Sequence, residues 1–297
     1  MSRNGDRSGG RRAPRSGARP GPRNGAVNGE RWGDRSGCRP AILLFGQRAR
    51  ARALARQAVP RRGSCRLVSV RSAEEFATVF RSTLVDGALI DVGGATEETW
   101  RATALATEFP SVPFFAILPL RLTDGPALAR CAELELSDVL IDGVDDAVTA
   151  AYLGPRLFSA RFEAGLREPP AILSLATPLQ REAWRHIVAR SGRAVRTTEL
   201  ARALGVTREH LSRTFSAEGA PNLKRVIDLV RLLAAAELAK NPGYDIRDVA
   251  HVLGFASSSH LSSCAQRLVG TRPSSLARLR SKDLLERFAQ GRGRSRA

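Results

Sequence analysis

The feature that most constrains this chain is a pattern written twice in its last third. Thr197 to Leu204 carries Leu200, Ala201 and Leu204 on one helical face, Gly205 follows, and Thr207 to Ala217 then places Leu211 and Phe215 four residues apart. A glycine accepts the left-handed conformation that ends a helix, and a threonine can cap the free amides of the next one. About 49 residues later the arrangement returns: Asp245 as a cap, Ile246, Val249, Ala250 and Leu253 on one face, Gly254 and Phe255 at the turn, and a helix from Ser257 to about Val269. Small Ala201 and Ala250 hold equivalent places, where two helices must cross closely and a larger side chain would push them apart. Between the copies, Asn222 to Lys240 reads as one helix rich in Leu, Ala and Arg, spanning roughly 28 Å at about 1.5 Å per residue.

A helix, a tight turn and a second helix with a polar outer face form a unit that fits a major groove. A stiff spacer lets two such units address successive turns of one duplex, roughly 34 Å apart. The charge agrees: 47 Lys and Arg against 29 Asp and Glu leave a formal +18, a field that attracts polyanions. An anionic membrane is the competing partner, but no stretch approaches the roughly 20 apolar residues of a bilayer-spanning helix. Residues 1–39 are dominated by Arg, Gly, Ser, Pro and Asn, with ten arginines (Arg3 to Arg39) against Asp6, Glu30 and Asp34. Such a segment is expected to be a disordered Arg/Gly-rich tail, read first as a solvated solubility segment or a mis-called start and second as a non-specific phosphate contact. It looks like neither a secretory signal nor a membrane anchor, so a cytoplasmic location is expected.

From about residue 40 short apolar runs alternate with amphipathic stretches, the pattern of a parallel sheet wrapped by helices. The strand candidates are AILLF from Ala41, CRLVSV from Cys65, GALID from Gly87, PFFAIL from Pro113 and DVLI from Asp138. Arg48 to Gln57, Ser72 to Ser82, Thr96 to Thr107 and Gly125 to Glu135 read as the intervening helices. The predicted fold is therefore α/β plus all-α: a doubly wound five-strand domain over 40–160, a Pro-marked linker over 161–177, a helical domain over 178–285 and a basic tail over 286–297. Thr177 before Pro178 marks the start of that helical domain. Arg48, Arg50, Arg52, Arg56, Arg61 and Arg62 read as a solvated helix face. Cys38, Cys65, Cys131 and Cys264 are scattered singly and read as reduced thiols, with packing the expected role of Cys264. His186, His210, His251 and His260 fall at helical positions and are assigned structural roles.

TELARALGVTREHLSRTF, the DIRDVAHVLGF segment and LVGTRPSSL, which carries Gly270 and Pro273, closely resemble the DNA-binding domain of AraC-type transcription regulators. The resemblance covers about 110 residues. It implies that Arg208, Glu209, Ser212 and Arg213 face the bases or the adjoining backbone in the first unit, with Ser258, Ser259, Ser262 and Ser263 matching them in the second. Arg213 is the strongest base-reading candidate, since an arginine can grip guanine O6 and N7 together. The second unit departs from the family. A basic residue and an aromatic often found late in that helix are here Ser263 and Ala265, so the first unit is expected to dominate specificity. Thr197 and Thr198 at a helix start, with Lys224 and Arg272, are the expected phosphate contacts.

The sheet-forming part resembles the receiver domain of response regulators, and Asp91 at the end of the third strand matches the phosphoacceptor of that family. The partners of that aspartate do not match. Phe45 and Gly46 stand where the family has an acidic pair for Mg²⁺, the expected Thr or Ser falls near Leu118 and Pro119, and the expected Lys falls at Asp142. A hard cation would find too few oxygen ligands there. The expectation is a degenerate receiver serving as a dimerisation or protein-interaction module, and the alternative is a phosphorylation-controlled regulator using Asp91. Double-stranded DNA, a second copy of the chain and a protein such as RNA polymerase are the expected partners. No Gly-rich phosphate loop or nucleophile, base and orienter set points to an enzyme, and no cofactor or metal is expected.

Overall fold

The computed structural model describes residues 39–59 and 65–294. The tail, Cys38, Arg61 and Arg62 lie outside them. Five parallel strands, β1 (Ala41–Phe45), β2 (Arg66–Val70), β3 (Val85–Asp91), β4 (Phe114–Leu118) and β5 (Asp138–Ile141), form one sheet in the order β2-β1-β3-β4-β5. The helices between them are α1 (Ala49–Ala58), α2 (Ala73–Ser82), α3 (Glu97–Ala104) and α4 (Gly125–Glu133), and α5 (Thr149–Leu153) follows β5. This is the doubly wound, receiver-like fold expected of alternating apolar runs and amphipathic helices.

Period-two alternation sends the β1 side chains to two cores. Ile42 and Leu44 join Leu54 and Ala55 of α1 and Leu153 of α5 on one face. Ala41, Leu43 and Phe45 join Phe76 and Phe80 of α2 on the other. On that second face Phe80 stacks on Phe109 at 4.2 Å and on Phe114 at 5.7 Å between ring centroids.

Helix α6 (Phe158–Gly165) follows, crossing the segment read as the start of the linker, and the helical part is α7 (Pro178–Val188), α8 (Thr197–Ala203), α9 (Arg208–Phe215), α10 (Leu223–Leu238), α11 (Ile246–Val252), α12 (Ser258–Val269) and α13 (Ser281–Arg294). Local caps place most of these starts. Thr177 and Gln180 form a reciprocal capping box at α7, Thr207 accepts from the His210 amide at 3.1 Å, and Asn222 accepts from the Arg225 amide at 2.9 Å. At the second copy Asp245 and Asp248 form a capping box, and Ser257 accepts from the His260 amide at 3.1 Å. The long helix is shorter than the sequence reading, because Asn222 is its cap and Ala239 its C-terminal cap; its 16 residues rise about 24 Å. Most of its length is buried, with Val226, Leu229, Leu232, Leu233 and Ala234 fully inside. Helix α13 runs on to Arg294, anchored by fully buried Leu284 and Phe288.

The core on the α2 face continues without a break into the helical part. Phe109 meets Tyr244 edge-to-face at 4.8 Å, the Gly243 amide donates to the Glu108 carbonyl at 2.9 Å, and the Asn241 side chain bonds both the Ser111 amide (2.8 Å) and its hydroxyl (2.6 Å). The turn between α10 and α11 is thus built into the sheet-forming part. On the opposite side the Trp184 indole of α7 donates to the Leu166 carbonyl beyond α6 at 2.8 Å.

Candidate nucleic-acid interface

The two copies of the sequence pattern fold alike down to individual hydrogen bonds. After α8, Gly205 takes φ +66°, its amide donates to the Arg202 carbonyl at 3.2 Å, and Val206 donates to the Ala201 carbonyl at 3.0 Å. After α11, Gly254 takes φ +69°, its amide donates to His251 at 3.0 Å, and Phe255 donates to Ala250 at 2.8 Å. Both are the paired bonds of a glycine-terminated helix. This turn sets the second helix of each pair, α9 and α12, against the first.

What holds each second helix differs. In the first pair Leu211 and Phe215 are fully buried, and the buried Gln180 amide of α7 donates to the Phe215 carbonyl at 2.9 Å. In the second pair the long helix supplies the grip. Arg231 stacks its guanidinium 3.9 Å from the Phe255 ring centroid and reaches the Leu253 carbonyl at 3.4 Å, while Asp228 accepts from Arg267 of α12 at 2.9 Å. Burial pulls the Arg231 guanidinium below its ordinary pKa, and attraction from Asp228 offsets part of that. Sequence reading passed over Asp228, Arg231 and Arg267. The available signal was two charged residues three apart within the apolar middle of the helix.

On the outer faces, Arg208, Glu209, Ser212 and Arg213 of α9 are all exposed, and their side chains make no hydrogen bond or ion pair among the described residues. Lys224 at the start of α10 and Arg272 after α12 are likewise exposed cations without a carboxylate partner among those residues. This separates them from Arg231 and Arg267, whose charge is already engaged. Thr197 and Thr198 open α8, where Arg196 provides no side-chain cap.

In α12 the serines divide. Ser259 and Ser263 are exposed, Ser258 and Ser262 are half-buried, and the Ser262 hydroxyl turns back to the Ser258 carbonyl at 2.9 Å. Ser262, Ser263 and Arg272 line one groove together with Gln266 and Arg267. Gln266, one turn beyond the serines and exposed, extends this face; the i, i+4 spacing could have found it. Cys264 points the other way, only 2% exposed, and burial pushes its thiol up to about 11, as packing requires and redox chemistry does not.

Asp91 lies at the far end of β3, and its surroundings correct one reading. Arg48 is not part of a solvated face. It donates to Asp91 through Nε at 2.7 Å and to Asp142 through Nη1 at 2.6 Å, and its Nη2 lies 2.5 Å from the Asp91 carboxylate as an ion-pair contact. The three side chains are 28%, 4% and 8% exposed. Burial works against the Arg48 charge, but bonding and attraction from the two carboxylates outweigh it and raise its pKa. The Gly93 amide also donates to Asp91 at 3.2 Å, so this carboxylate caps the turn after its own strand. A side chain at position 46 would begin 2.4 Å from the Asp91 Cβ. A side chain at position 46 would therefore collide with Asp91, and one guanidinium is shared between the Asp91 and Asp142 carboxylates.

Each of the two helix pairs turns on a glycine, and Arg208 and Arg213 on the outer face of α9 carry unpaired charge among the described residues. Residues 200–279 match the family model described as a helix-turn-helix domain, of the AraC type, and to that extent the chain is a DNA-binding transcription regulator. No curated protein matches the chain. Among solved structures it is similar to full-length FixJ from B. japonicum, at 12% identity and a TM-score of 0.33 over 77% of this chain and 97% of that one. It is also similar to the RcsB response regulator from Salmonella typhimurium, at 11% identity and a TM-score of 0.32 over 64% and 97%. Among the described residues no helix is long and apolar enough to cross a membrane.

Proposed function

We propose that this chain regulates transcription by reading two neighbouring major-groove segments of one duplex with α9 and α12, while its receiver-like part serves as a fixed dimerisation or protein-interaction module. The observation that carries the reading is the pair of matching glycine turns at Gly205 and Gly254, each followed by a polar-faced helix, α9 and α12. Arg208, Glu209, Ser212 and Arg213 read or flank bases from α9, with Ser258, Ser259, Ser262 and Ser263 from α12. Thr197, Thr198, Lys224 and Arg272 hold phosphates. The partners are double-stranded DNA, a second copy through the receiver-like part, and a protein such as RNA polymerase.

Sequence selection from a random duplex pool with the full chain tests this. A bipartite site about one helical turn between centres is expected. Arg213→Ala should relax one position of it by about 1–3 kcal/mol, and joint replacement of Ser262 and Ser263 by alanine should cost less. Equal losses would remove the dominance of the first unit, and a single short site would remove the two-groove reading.

The alternative, a phosphorylation-controlled switch at Asp91, is disfavoured by the Arg48 clamp. Incubated with Mg²⁺ and acetyl phosphate, the protein is expected to keep its mass. Gain of one phosphoryl group, lost in Asp91→Asn, would restore the switch.

A further inference from the structure

Where the sheet-forming part, α6, the end of α10 and the start of α13 meet, the structure leaves a partly open cavity of about 430 Å³. That is within the roughly 300–1,000 Å³ of small-molecule sites, which concentrate at such junctions. The apolar lining comes from α6 and its end. Phe158 and Phe162 lie nearly parallel, 19° apart with centroids at 6.1 Å, and Leu166 follows them. A flat apolar body matches that surface.

The rim is charged and unbalanced. Lys240 is matched by Glu237, whose two oxygens accept from its Nζ at 2.8 and 2.7 Å, so this pair cancels. Arg161 is exposed and spends one Nη2 on the Ser111 carbonyl, with no carboxylate among the described residues to answer its charge. A planar guanidinium with spare donors beside an apolar slot selects a carboxylate, which it can bind through two parallel bonds.

We propose that this cavity is a binding site for a small, flat, apolar carboxylate, its ring system against Phe158 and Phe162 and its anionic end on Arg161. The occupant touches Pro110 and Ser111 on one side and Glu237 and Lys240 on the other, so it binds the seam between the two parts of the chain. Binding does not require DNA and stands apart from the reading of α9 and α12.

The test uses the full chain without DNA, 1-naphthoate as probe and 1-naphthamide as its uncharged counterpart, followed by isothermal calorimetry. One saturable naphthoate site per chain is expected, with naphthamide at least tenfold weaker. Gly165→Leu blocks the cavity. Gly165 ends α6 and lines the site, and a Cβ there meets nothing within 4 Å, so the fold is expected to survive, as its melting curve will report. That variant should lose the site. Arg161→Gln should weaken naphthoate about tenfold while leaving naphthamide unchanged. No saturable binding, binding indifferent to Gly165→Leu, or equal affinity for acid and amide would each overturn the proposal.

Discussion

Gly192→Ala is expected to destabilise the folded chain by roughly 2–5 kcal/mol, combining about 1–2 for a left-handed L-residue with about 1–3 for overpacking. Gly192 lies between α7 and α8 at φ +79°, and a Cβ built on it would sit 2.1 Å from the Cβ of Ala234, a fully buried residue of α10. Neither side can yield easily, because Ala234 belongs to a helix packed all round and Leu253 stands 3.4 Å away on the other flank. Gly205→Ala provides the internal standard. It carries the same backbone strain at φ +66° but meets nothing within 4 Å, so it should cost only about 1–2 kcal/mol. Denaturant titration of both variants measures the difference. Equal losses would mean that the first helix pair is not seated on α10 as closely as the geometry states.

Raising salt from about 50 to about 200 mM is expected to weaken duplex binding by roughly a thousand- to a hundred-thousand-fold, the range for about six to ten phosphate contacts. The basis is the contrast between cations that are engaged within the fold, Arg48, Arg231 and Arg267, and those that are not, Arg208, Arg213, Lys224 and Arg272. A cation held by a carboxylate within the fold displaces counterions less readily than one that is not, and the second set belongs to the latter. Lys224→Ala and Arg272→Ala should each lower the slope of log affinity against log salt by about 1 and act alike on all sequences, whereas Arg213→Ala should act chiefly on the preferred one. A slope untouched by the Lys224 and Arg272 substitutions would strike both from the phosphate contacts.

What sequence reading reached was what short-range chemistry decides. β1 and β5 fall where the apolar runs AILLF and DVLI placed them, and the caps at Thr177, Thr207 and Asp245 are local contests between a side chain and nearby amides. β3 starts two residues earlier than GALID because Asp86, which reads as a boundary, is buried and satisfied by the Cys65 thiol at 2.9 Å and the Ser159 amide at 2.7 Å. The last turn of α3 tightens over Leu105–Thr107 instead of continuing as α-helix.

Arg48 escaped for the opposite reason. It stands in a run of arginines, and only its partners 43 and 94 residues away tell it from the others. Gly192 carries no motif, and its role exists only once α10 lies against it. For the interface, the glycine turns and exposed faces were legible, while the division of the serines and the engagement of Arg267 depend on packing that no local pattern encodes.

The joint made by Phe109, Tyr244, Asn241 and Ser111 limits how this architecture can be recombined. A chimaera that replaced everything before Pro178 would leave the Tyr244 ring without its apolar neighbour, Asn241 without its acceptor and donor, and the Trp184 indole without its carbonyl. A foreign front half would have to supply surfaces complementary to all three. The two halves therefore stand or fall together in such an exchange, because each supplies partners for polar and aromatic groups of the other.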